Sequence, residues 1–542
     1  MVAIAIKSFD GQAPKVNPRQ LPDTLAQRSI NTKLWSTLIP FREVSTVMTP
    51  TKTGANMSIY RLGQGLAETQ FWLTWATDVN VVRGQIAGDT TERTYFTGDG
   101  VPKVTDATLS TTGGTNYPVT SYSLGLPKPA TSPTLIVSGV ATTGATLPES
   151  RIYVYTYVSA WGEESQPCLA SAAVDVLAGQ TVTLSAISAA PTGAYNVATK
   201  RIYRSNTGTF GTQFQFVAEI PVATLTYADV IAGTSLGEIL ATSTWVMPPA
   251  NLSGLIALPN GVMAGFDGNE ICFSDPYHPY AWPIAYRQSV DFPIVSIGQY
   301  GGIVIVATTG TPYMITGVDP ASMSMLKLEM QQACVSKRSM VQMGGGVCYA
   351  SPDGLVFASG GGAQLATKDH FNRDEWQALN PSSIHAYMLD GRYIGFYSTG
   401  TVSGGFIFNP ADGKDGLVML DTYATAGYVD PVIDALYLMI GTNIVRWDSH
   451  ATLMKTMTWR SKVFVTPSPV SMACAQAIAA TYPFTMNIYA DGLLKVTRSV
   501  VDGNPFRLPG GFLARDWEIE VVGTTEIYSL YLAQSVMELK NG

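Results

Sequence analysis

The chain has 542 residues, of which 46% are hydrophobic and only 13% are charged, and its net charge is −7. This length allows two to four domains. An acidic chain without a basic run is unsuited to gripping nucleic acid by phosphate neutralisation. A surface with so few charges is also poorly protected against association. We therefore expect partner subunits to cover much of the surface.

The cysteines and histidines are dispersed along the chain, without CxxC spacing and with an odd number of cysteines. This pattern favours buried free thiols in a protein that folds in reducing cytosol, and it predicts no metal site. The residues are Cys168, Cys272, Cys334, Cys348, Cys474, His278, His370, His385 and His450.

Residues 1–50 predict an extended N-terminal arm, because prolines recur at positions 14, 18, 22 and 40. The start MVAIAIKSFDG has its lysine after a short apolar run, so it does not resemble a signal peptide. Residues 51–130 carry two weak copies, ANMSIYRLGQG (55–65) and ERTYFTGDG (92–100), of a unit that repeats downstream. We interpret them as the first blades of a β-propeller.

Residues 131–245 interrupt this repeat. The interval between Gly100 and Gly268 is too long for one blade, and it contains alternating strands such as RIYVYTYVSAWGEESQPCLAS (151–171) and KRIYRSNTG (200–208). Their length and the Gly-Glu-Glu-Ser stretch resemble a fibronectin type III-like module, which needs ~100 residues. The Pro- and Thr-rich PKPATSPT (127–134) predicts a linker.

Residues 246–457 carry the clearest repeat, a short strand with a glycine-type turn on each side. The second turn of each unit falls at Gly268, Gly310, Gly354, Gly400 and Gly441, which are 42, 44, 46 and 41 residues apart. A four-stranded propeller blade has ~40 to 50 residues. The sequence therefore predicts an all-β fold, a propeller of six or seven blades with an inserted β-sandwich.

Residues 458–542 do not continue the blade spacing and predict a small separate β-domain with its own hairpins. Within them, the stretch from 463 to 490 contains no charged residue. Its prolines make it a poor membrane helix, so we expect buried strands and no stable membrane insertion.

Candidate sites for chemistry are weak throughout the chain. SPDGLVF (351–357) indicates a hairpin turn, since Asp and Gly are adjacent and Gly tolerates positive φ. ATKDHFNRDEW (366–376) lacks calcium-loop spacing and favours a solvated loop or short helix. No Walker loop, nucleophile elbow or His-Glu-x-x-His motif is present. We predict no enzyme, no catalytic residue and no cofactor or metal site.

One stretch, SDPYHPYAWP (274–283), has no counterpart in the repeat. It gathers aromatic side chains next to an acidic residue. We predict partner contacts there through Tyr277, His278, Tyr280 and Trp282, although Trp282 would more plausibly pack between blades.

Three stretches together resemble the tail nozzle proteins of short-tailed bacteriophages, also called tail hub or packaged-DNA stabilisation proteins. They are GQAPKVNPRQLPDTLAQRSINTKLWSTLIPFRE (11–43), the blade pair with its continuation (291–354), and FRLPGGFLARDWEIEVVGTTEIYSLYLAQSVMEL (506–539). The resemblance implies a homohexameric ring below the portal and adaptor, made in the host cytoplasm and located in the virion tail. It also implies contact with tail fibre or needle proteins, and a lumen that conducts genomic DNA without sequence-specific binding.

Two other classes of function remain open. A receptor-binding or glycan-degrading tail propeller would have clustered carboxylates and exposed aromatic residues in a cleft. A secreted adhesion protein would carry a signal peptide and paired cysteines, which this sequence does not suggest.

Overall fold

The computed structural model describes residues 3–35, 37–54, 56–63, 71–208, 211–410, 413 and 415–539. Strands make up 46% of the structure and helices 6%, so the prediction of an all-β fold is confirmed. The chain forms two compact units. Unit 1 comprises Met1–Ala76, Val295–Ile315 and Met325–Gly542, and unit 2 comprises Thr77–Ile294 and Thr316–Ser324.

Among its described residues, the first part of unit 1 contains seven short strands. They are β1 (Ala3–Ile6), β2 (Ala26–Ile30), β3 (Thr32–Trp35), β4 (Thr37–Pro40), β5 (Ser45–Met48), β6 (Ser58–Arg61) and β7 (Trp72–Trp75). The strands β6 and β7 pair with each other. Gln64 and Gly65, with which the first predicted blade unit ends, lie outside the described residues.

Unit 2 begins with a four-stranded antiparallel sheet, which is the form expected of a propeller blade. It consists of β8 (Asn80–Arg83), β9 (Thr94–Thr97), β10 (Lys103–Thr105) and β11 (Tyr122–Ser123), with the helix α1 (Ala107–Thr111) between the last two strands.

The interrupting segment then forms a β-sandwich. Its strands are β12 (Thr134–Ser138), β13 (Glu149–Arg151), β14 (Tyr153–Ser159), β15 (Val174–Val176), β16 (Thr181–Ser185), β17 (Val197–Gly208), β18 (Gly211–Pro221) and β19 (Tyr227–Asp229). They form the sheets β12-β16-β19, β14-β17-β18 and β13-β15. Tyr155, Leu184 and Ile202 from the two larger sheets share one buried core. We call residues 131–245 the insert.

The core of the insert also contains a fully buried ion pair. Arg204 Nη1 donates to Asp229 Oδ2 at 2.7 Å, and neither side chain is exposed to solvent. Tyr153 OH donates to the same carboxylate oxygen at 2.6 Å. These hydrogen bonds join β14, β17 and β19 at one end of the sandwich.

Antiparallel meanders resume after the insert, and the last two of them are joined by strands from the start of the chain. Their strands are β20 (Ser253–Ala257), β21 (Met263–Asp267), β22 (Glu270–Phe273), β23 (Gln288–Ser289), β24 (Ile294–Tyr300), β25 (Ile303–Thr308), β26 (Tyr313–Thr316), β27 (Ser324–Lys327), β28 (Val341–Met343), β29 (Gly346–Ala350), β30 (Leu355–Ser359), β31 (Gly362–Leu365), β32 (His385–Leu389), β33 (Arg392–Ser398), β34 (Ser403–Phe408), β35 (Val418–Leu420), β36 (Ala426–Asp430), β37 (Ala435–Ile440) and β38 (Asn443–Arg446). The helix α2 (Arg373–Gln377) precedes β32.

The remaining strands of unit 1 form long antiparallel ladders. They are β39 (Met457–Ser461), β40 (Phe464–Val470), β41 (Cys474–Ala479), β42 (Phe484–Ala490), β43 (Leu493–Val500), β44 (Phe506–Arg507), β45 (Ala514–Gly523) and β46 (Ile527–Ala533), followed by the helix α3 (Val536–Leu539). One-turn 3-10 helices occupy Gly233–Ser235, Thr242–Thr244, Ile284–Tyr286, Lys337–Ser339 and Pro381–Ser383.

The predicted repeat turns have equivalent positions in their sheets. Gly268, Gly310, Gly354, Gly400 and Gly441 each lie between the second and third strands of a four-stranded meander. The first turns are tight as well. At Asp390 and Gly391 φ is 53° and 71°, and positive φ at both central residues is the type I′ geometry that matches the twist of a hairpin.

The prediction of an extended N-terminal arm is wrong. β1 pairs with β46, and β2 lies between β35 and β39 in a ten-stranded sheet. β5 completes the sheet β36-β37-β38 by pairing with β38. Phe9 and Leu38 are buried in the same core as the C-terminal strands, because alternating apolar residues outweigh the prolines between them.

The C-terminal residues are also not a separate domain, because β2 joins their sheet to the meander β32–β35. The uncharged stretch from 463 to 490 forms β40, β41 and β42. The side chains of β41 and β42 are largely buried, whereas those of β40 are mostly exposed. Within the described residues, no helix combines the length and the apolar character that crossing a membrane requires.

Candidate functional site

The segment from 274 to 283 folds into consecutive tight turns between β22 and β23. Asp275 N donates to the carbonyl of Ala281 at 2.8 Å, and Ala281 N donates to that of His278 at 2.9 Å. Tyr277 has a φ of 61°, which is uncommon for an aromatic residue, and its ring lies against Gly261. A Cβ at Gly261 would come within 2.5 Å of this ring, so only glycine fits there.

His278 is held by a carboxylate and stacks on a tryptophan. Its Nδ1 lies 2.8 Å from Asp275 Oδ2, and Tyr286 OH donates to the other oxygen of that carboxylate at 3.3 Å. The imidazole lies 4.4 Å from the ring of Trp245, measured between centroids. Trp245 follows the 3-10 helix Thr242–Thr244 at the end of the insert. The Asp275–His278 pair therefore fixes the point at which the chain leaves the insert.

Tyr280 lies beside both connections of the insert. Its ring contacts Trp245 at 5.7 Å, and its carbonyl oxygen would be 2.8 Å from a Cβ at Gly125, on the chain that enters the insert. Burial raises the pKa of the Tyr280 phenol, and the nearby charge of Glu163 raises it further.

Trp282 is completely buried, so the prediction that it contacts a partner is wrong. Its indole N–H donates to the carbonyl of Pro279 at 2.8 Å, and its backbone N–H donates to that of Val246, also at 2.8 Å. The ring packs with residues of the sheets β8–β11 and β20–β23, including Tyr95 and Met263. This is the packing between neighbouring sheets that the repeat suggested.

A second contact joins the insert to the sheet β8–β11. The Arg93 guanidinium lies over the ring of Trp161, 5.4 Å from its centroid, and Arg93 Nη1 is 3.6 Å from Glu163 Oε1. Asp89 approaches the same guanidinium, with its Oδ1 at 3.6 Å from Nε. Glu163 is only 5% exposed, and Ser159 Oγ accepts its backbone N–H at 3.1 Å.

Burial raises the pKa of Glu163 to about 7, although the charge of Arg93 lowers it. Three buried polar atoms at this contact have no hydrogen-bond partner among the described residues: Arg93 Nε, Tyr95 OH and Glu163 Oε1. Buried polar groups of this kind are costly to leave unpaired. The stability of this contact therefore depends on whether Glu163 is protonated.

The four predicted contact residues thus have different roles. His278, Tyr280 and Trp282 hold the two connections of the insert, and only Tyr277 presents a large exposed surface, at 59%. Sequence reasoning missed Arg93, Trp161 and Trp245. A signal existed, because the adjacent acidic residues Glu163 and Glu164 directly follow a Trp-Gly pair.

The acidic stretch from 366 to 376 is a turn followed by the start of the short helix α2, which has a capping box between Asn372 and Glu375, so the predicted alternative of a short helix holds for its second half. Within the described residues, no group of three His, Cys, Asp or Glu side chains is arranged to hold a metal ion. All five cysteines are buried and free, so the prediction of buried free thiols is confirmed.

No protein-family model matches the chain, and comparison with curated proteins gives no significant match. Comparison with solved structures returns BamB from Moraxella catarrhalis, at 12% identity over 84% of this chain and 100% of that one, with a TM-score of 0.30. PorZ of Porphyromonas gingivalis matches at 10% identity over 86% of this chain and 77% of that one, with a TM-score of 0.24. These values are too low to support an inference about function.

Proposed function

We propose that this protein is the structural subunit of a ring-shaped tail nozzle of a short-tailed bacteriophage. The observation that carries the proposal is the strand β43, which ends a ten-stranded sheet and exposes side chains on both faces. An open, two-sided edge of this kind is a template for association and is normally covered. In a homohexameric ring, a neighbouring subunit covers it.

The fold suits this role in its finer features. We propose that the four-stranded sheets and the pair β6-β7 are the seven blades of one propeller, in which β5 closes the last blade. The insert is a fibronectin type III-like module, held at its base by Tyr280 and Trp245, that projects outward to fibres or needle proteins. The net charge of −7 favours a lumen that lets DNA pass without retaining it.

Negative-stain imaging of the purified full-length protein tests the proposal. We expect six-fold rings with a central hole, and the same ring on the tail axis of the virion below the portal and adaptor. Monomers at all concentrations would overturn it. Peripheral trimers, together with release of reducing ends from host polysaccharide, would instead identify a receptor-binding or glycan-degrading propeller.

A further inference from the structure

A basic and apolar surface surrounds β43, and we call residues 493–515 the basic edge. Leu493, Leu494 and Leu513 are 61%, 52% and 66% exposed. Lys495 and Arg498 stand among them, and neither forms an ion pair with a carboxylate among the described residues. The basic edge contains four basic residues and one acidic residue, a charge of +3, so the rest of a chain of net charge −7 carries −10.

An acidic surface with exposed apolar side chains lies in unit 2, and we call it the Tyr277 face. Tyr277, Ile284 and Val318 are 59%, 65% and 74% exposed. Tyr277 and Ile284 lie in the connection between β22 and β23, and Val318 lies in the connection between β26 and β27. From residue 258 to 324 the chain has five acidic residues and one basic residue, a charge of −4.

Side-chain contacts make the Tyr277 face one continuous surface. The ring of Tyr277 rests on Gly261, and the neighbouring Asn260 donates to the carbonyl of Val318. Tyr286, at the end of the 3-10 helix that exposes Ile284, donates to Asp275. Burial raises the pKa of Tyr286, and the nearby charges of Asp275 and Asp319 contribute to the increase.

The two cations of the basic edge also have a simpler explanation. Lysine on an edge strand discourages unwanted strand pairing, and Lys495 and Arg498 also cover the rings of Phe512 and Phe506. Protection of the edge strand explains Lys495 and Arg498. It does not explain why Leu493 and Leu494, next to them, are left in solvent.

We propose that the basic edge of one copy of this chain docks on the Tyr277 face of a second copy. The two surfaces have opposite charge, and each has apolar side chains at its centre, which is the composition of a specific protein interface with a polar rim. Nucleic acid would use the cations but would leave the leucines exposed. The contact joins two different surfaces, so repetition generates a ring or a filament. The inference rests on the proposed function, because it names the contact between neighbouring subunits of the ring.

Charge reversal on the full-length protein tests the contact. The double substitution Lys495→Glu with Arg498→Glu should raise the concentration for half-assembly by about tenfold or more, measured by sedimentation velocity. Adding Asp319→Lys should restore part of the loss. The control is Lys128→Glu with Lys368→Glu, which makes the same charge change at two exposed lysines outside both surfaces. Lys495→Gln with Arg498→Gln removes both charges but keeps polar side chains over the two aromatic rings. Weaker assembly of this variant therefore reports the lost charges and not a folding defect.

A cysteine pair tests the geometry, since the five native cysteines are buried. Leu494→Cys with Val318→Cys should give a ladder of disulfide-linked copies under mild oxidation. Leu494→Cys with Val140→Cys, which places the second thiol on an exposed residue of the insert, should give none.

The outcomes separate this inference from the proposed function. The docking contact is overturned if rings persist in both the Glu and the Gln variants of Lys495 and Arg498. It is also overturned if the control cysteine pair gives as much disulfide-linked ladder as Leu494→Cys with Val318→Cys. Either result leaves the proposal of a ring unaffected. A wild-type protein that never assembles overturns both. If Lys495→Glu with Arg498→Glu retains less DNA on a filter than the wild type but assembles equally well, the basic edge binds nucleic acid, and the contact is again overturned.

Discussion

Glu163 is a buried carboxyl group whose protonation depends on pH near neutrality. Its pKa of about 7 lies above the ordinary value of 4.5. The folded chain therefore keeps a proton that the unfolded chain releases between these values, and the free energy of unfolding falls as pH rises through this window. Below pH 4.5 both states are protonated, and the effect vanishes.

Glu163→Gln removes this pH dependence. We expect the variant to be more stable than the wild type at pH 8, by at most about 3 kcal/mol, and to differ little from it at pH 4. Urea unfolding at the two pH values measures the difference. Glu329→Gln, at an exposed position, is the control and should show no such change. Equal stability of Glu163→Gln and the wild type at pH 8 would contradict a raised pKa.

Asp229 neutralises a guanidinium that has no access to solvent. Asp229→Ala leaves Arg204 buried without its counter-charge, and breaking a buried pair in this way costs about 3–5 kcal/mol. We expect the insert to lose protection from proteolysis. The exposed Asp175→Ala should leave the digestion pattern unchanged. Protection of the Asp229→Ala insert equal to that of the wild type would show that the pair contributes little.

At the residue scale, the sequence predicted burial better than it predicted contacts. The dispersed cysteines are buried thiols, and Trp282 packs between sheets as the repeat suggested. The stack of Trp245 on His278 was beyond prediction, because 32 residues separate the two in the chain and nothing in the pattern relates them.

Among the elements, β5 pairs with a strand from the far end of the chain and completes the sheet β36-β37-β38. Val445 and Arg446 on β38 pair with Thr46 and Ser45. The strand is only four residues long and its side chains are partly exposed. Its contribution therefore comes mainly from the backbone ladder and from covering the edge of β38.

Thr46→Pro should disrupt this ladder. Proline cannot donate a ladder hydrogen bond and its φ is fixed, so we expect a loss of about 1 kcal/mol and a tendency to aggregate where β5 no longer covers the edge of β38. Thermal unfolding followed by light scattering reports both. The matched change Thr53→Pro lies in an exposed loop and should be nearly neutral. Similar behaviour of the two variants would show that β5 is dispensable.

Elements were predictable where local chemistry determines them. Asp-Gly and Gly-Gly turns identify a hairpin from a few adjacent residues, which is why the repeat located its turns correctly. β1, β2 and β5 are short and are separated by proline-containing segments, and their partners are hundreds of residues away. Nothing local distinguishes such strands from an extended arm.

At the scale of the whole molecule, the insert is a sandwich with a core of its own. That core contains residues of the insert alone. The connections that enter and leave it meet at Gly125, where a Cβ would lie 3.3 Å from Met247 Cγ. Because the two connections of the insert lie side by side, the insert can be replaced by a short linker without displacing the sheets before and after it.

Replacement of residues 131–245 by a short Gly-Ser linker should therefore leave the remaining chain folded. The cost is the exposure of Tyr95, Tyr280 and Arg93, which loses Glu163 and Trp161 but keeps Asp89, and we expect it to lower the thermal midpoint by a few degrees. Far-ultraviolet circular dichroism and sedimentation velocity measure folding and assembly. If the insert projects outward, the shortened protein still forms rings and loses only its contacts with other tail proteins. A shortened protein that folds but does not assemble would place the insert within the ring contact and contradict its outward position.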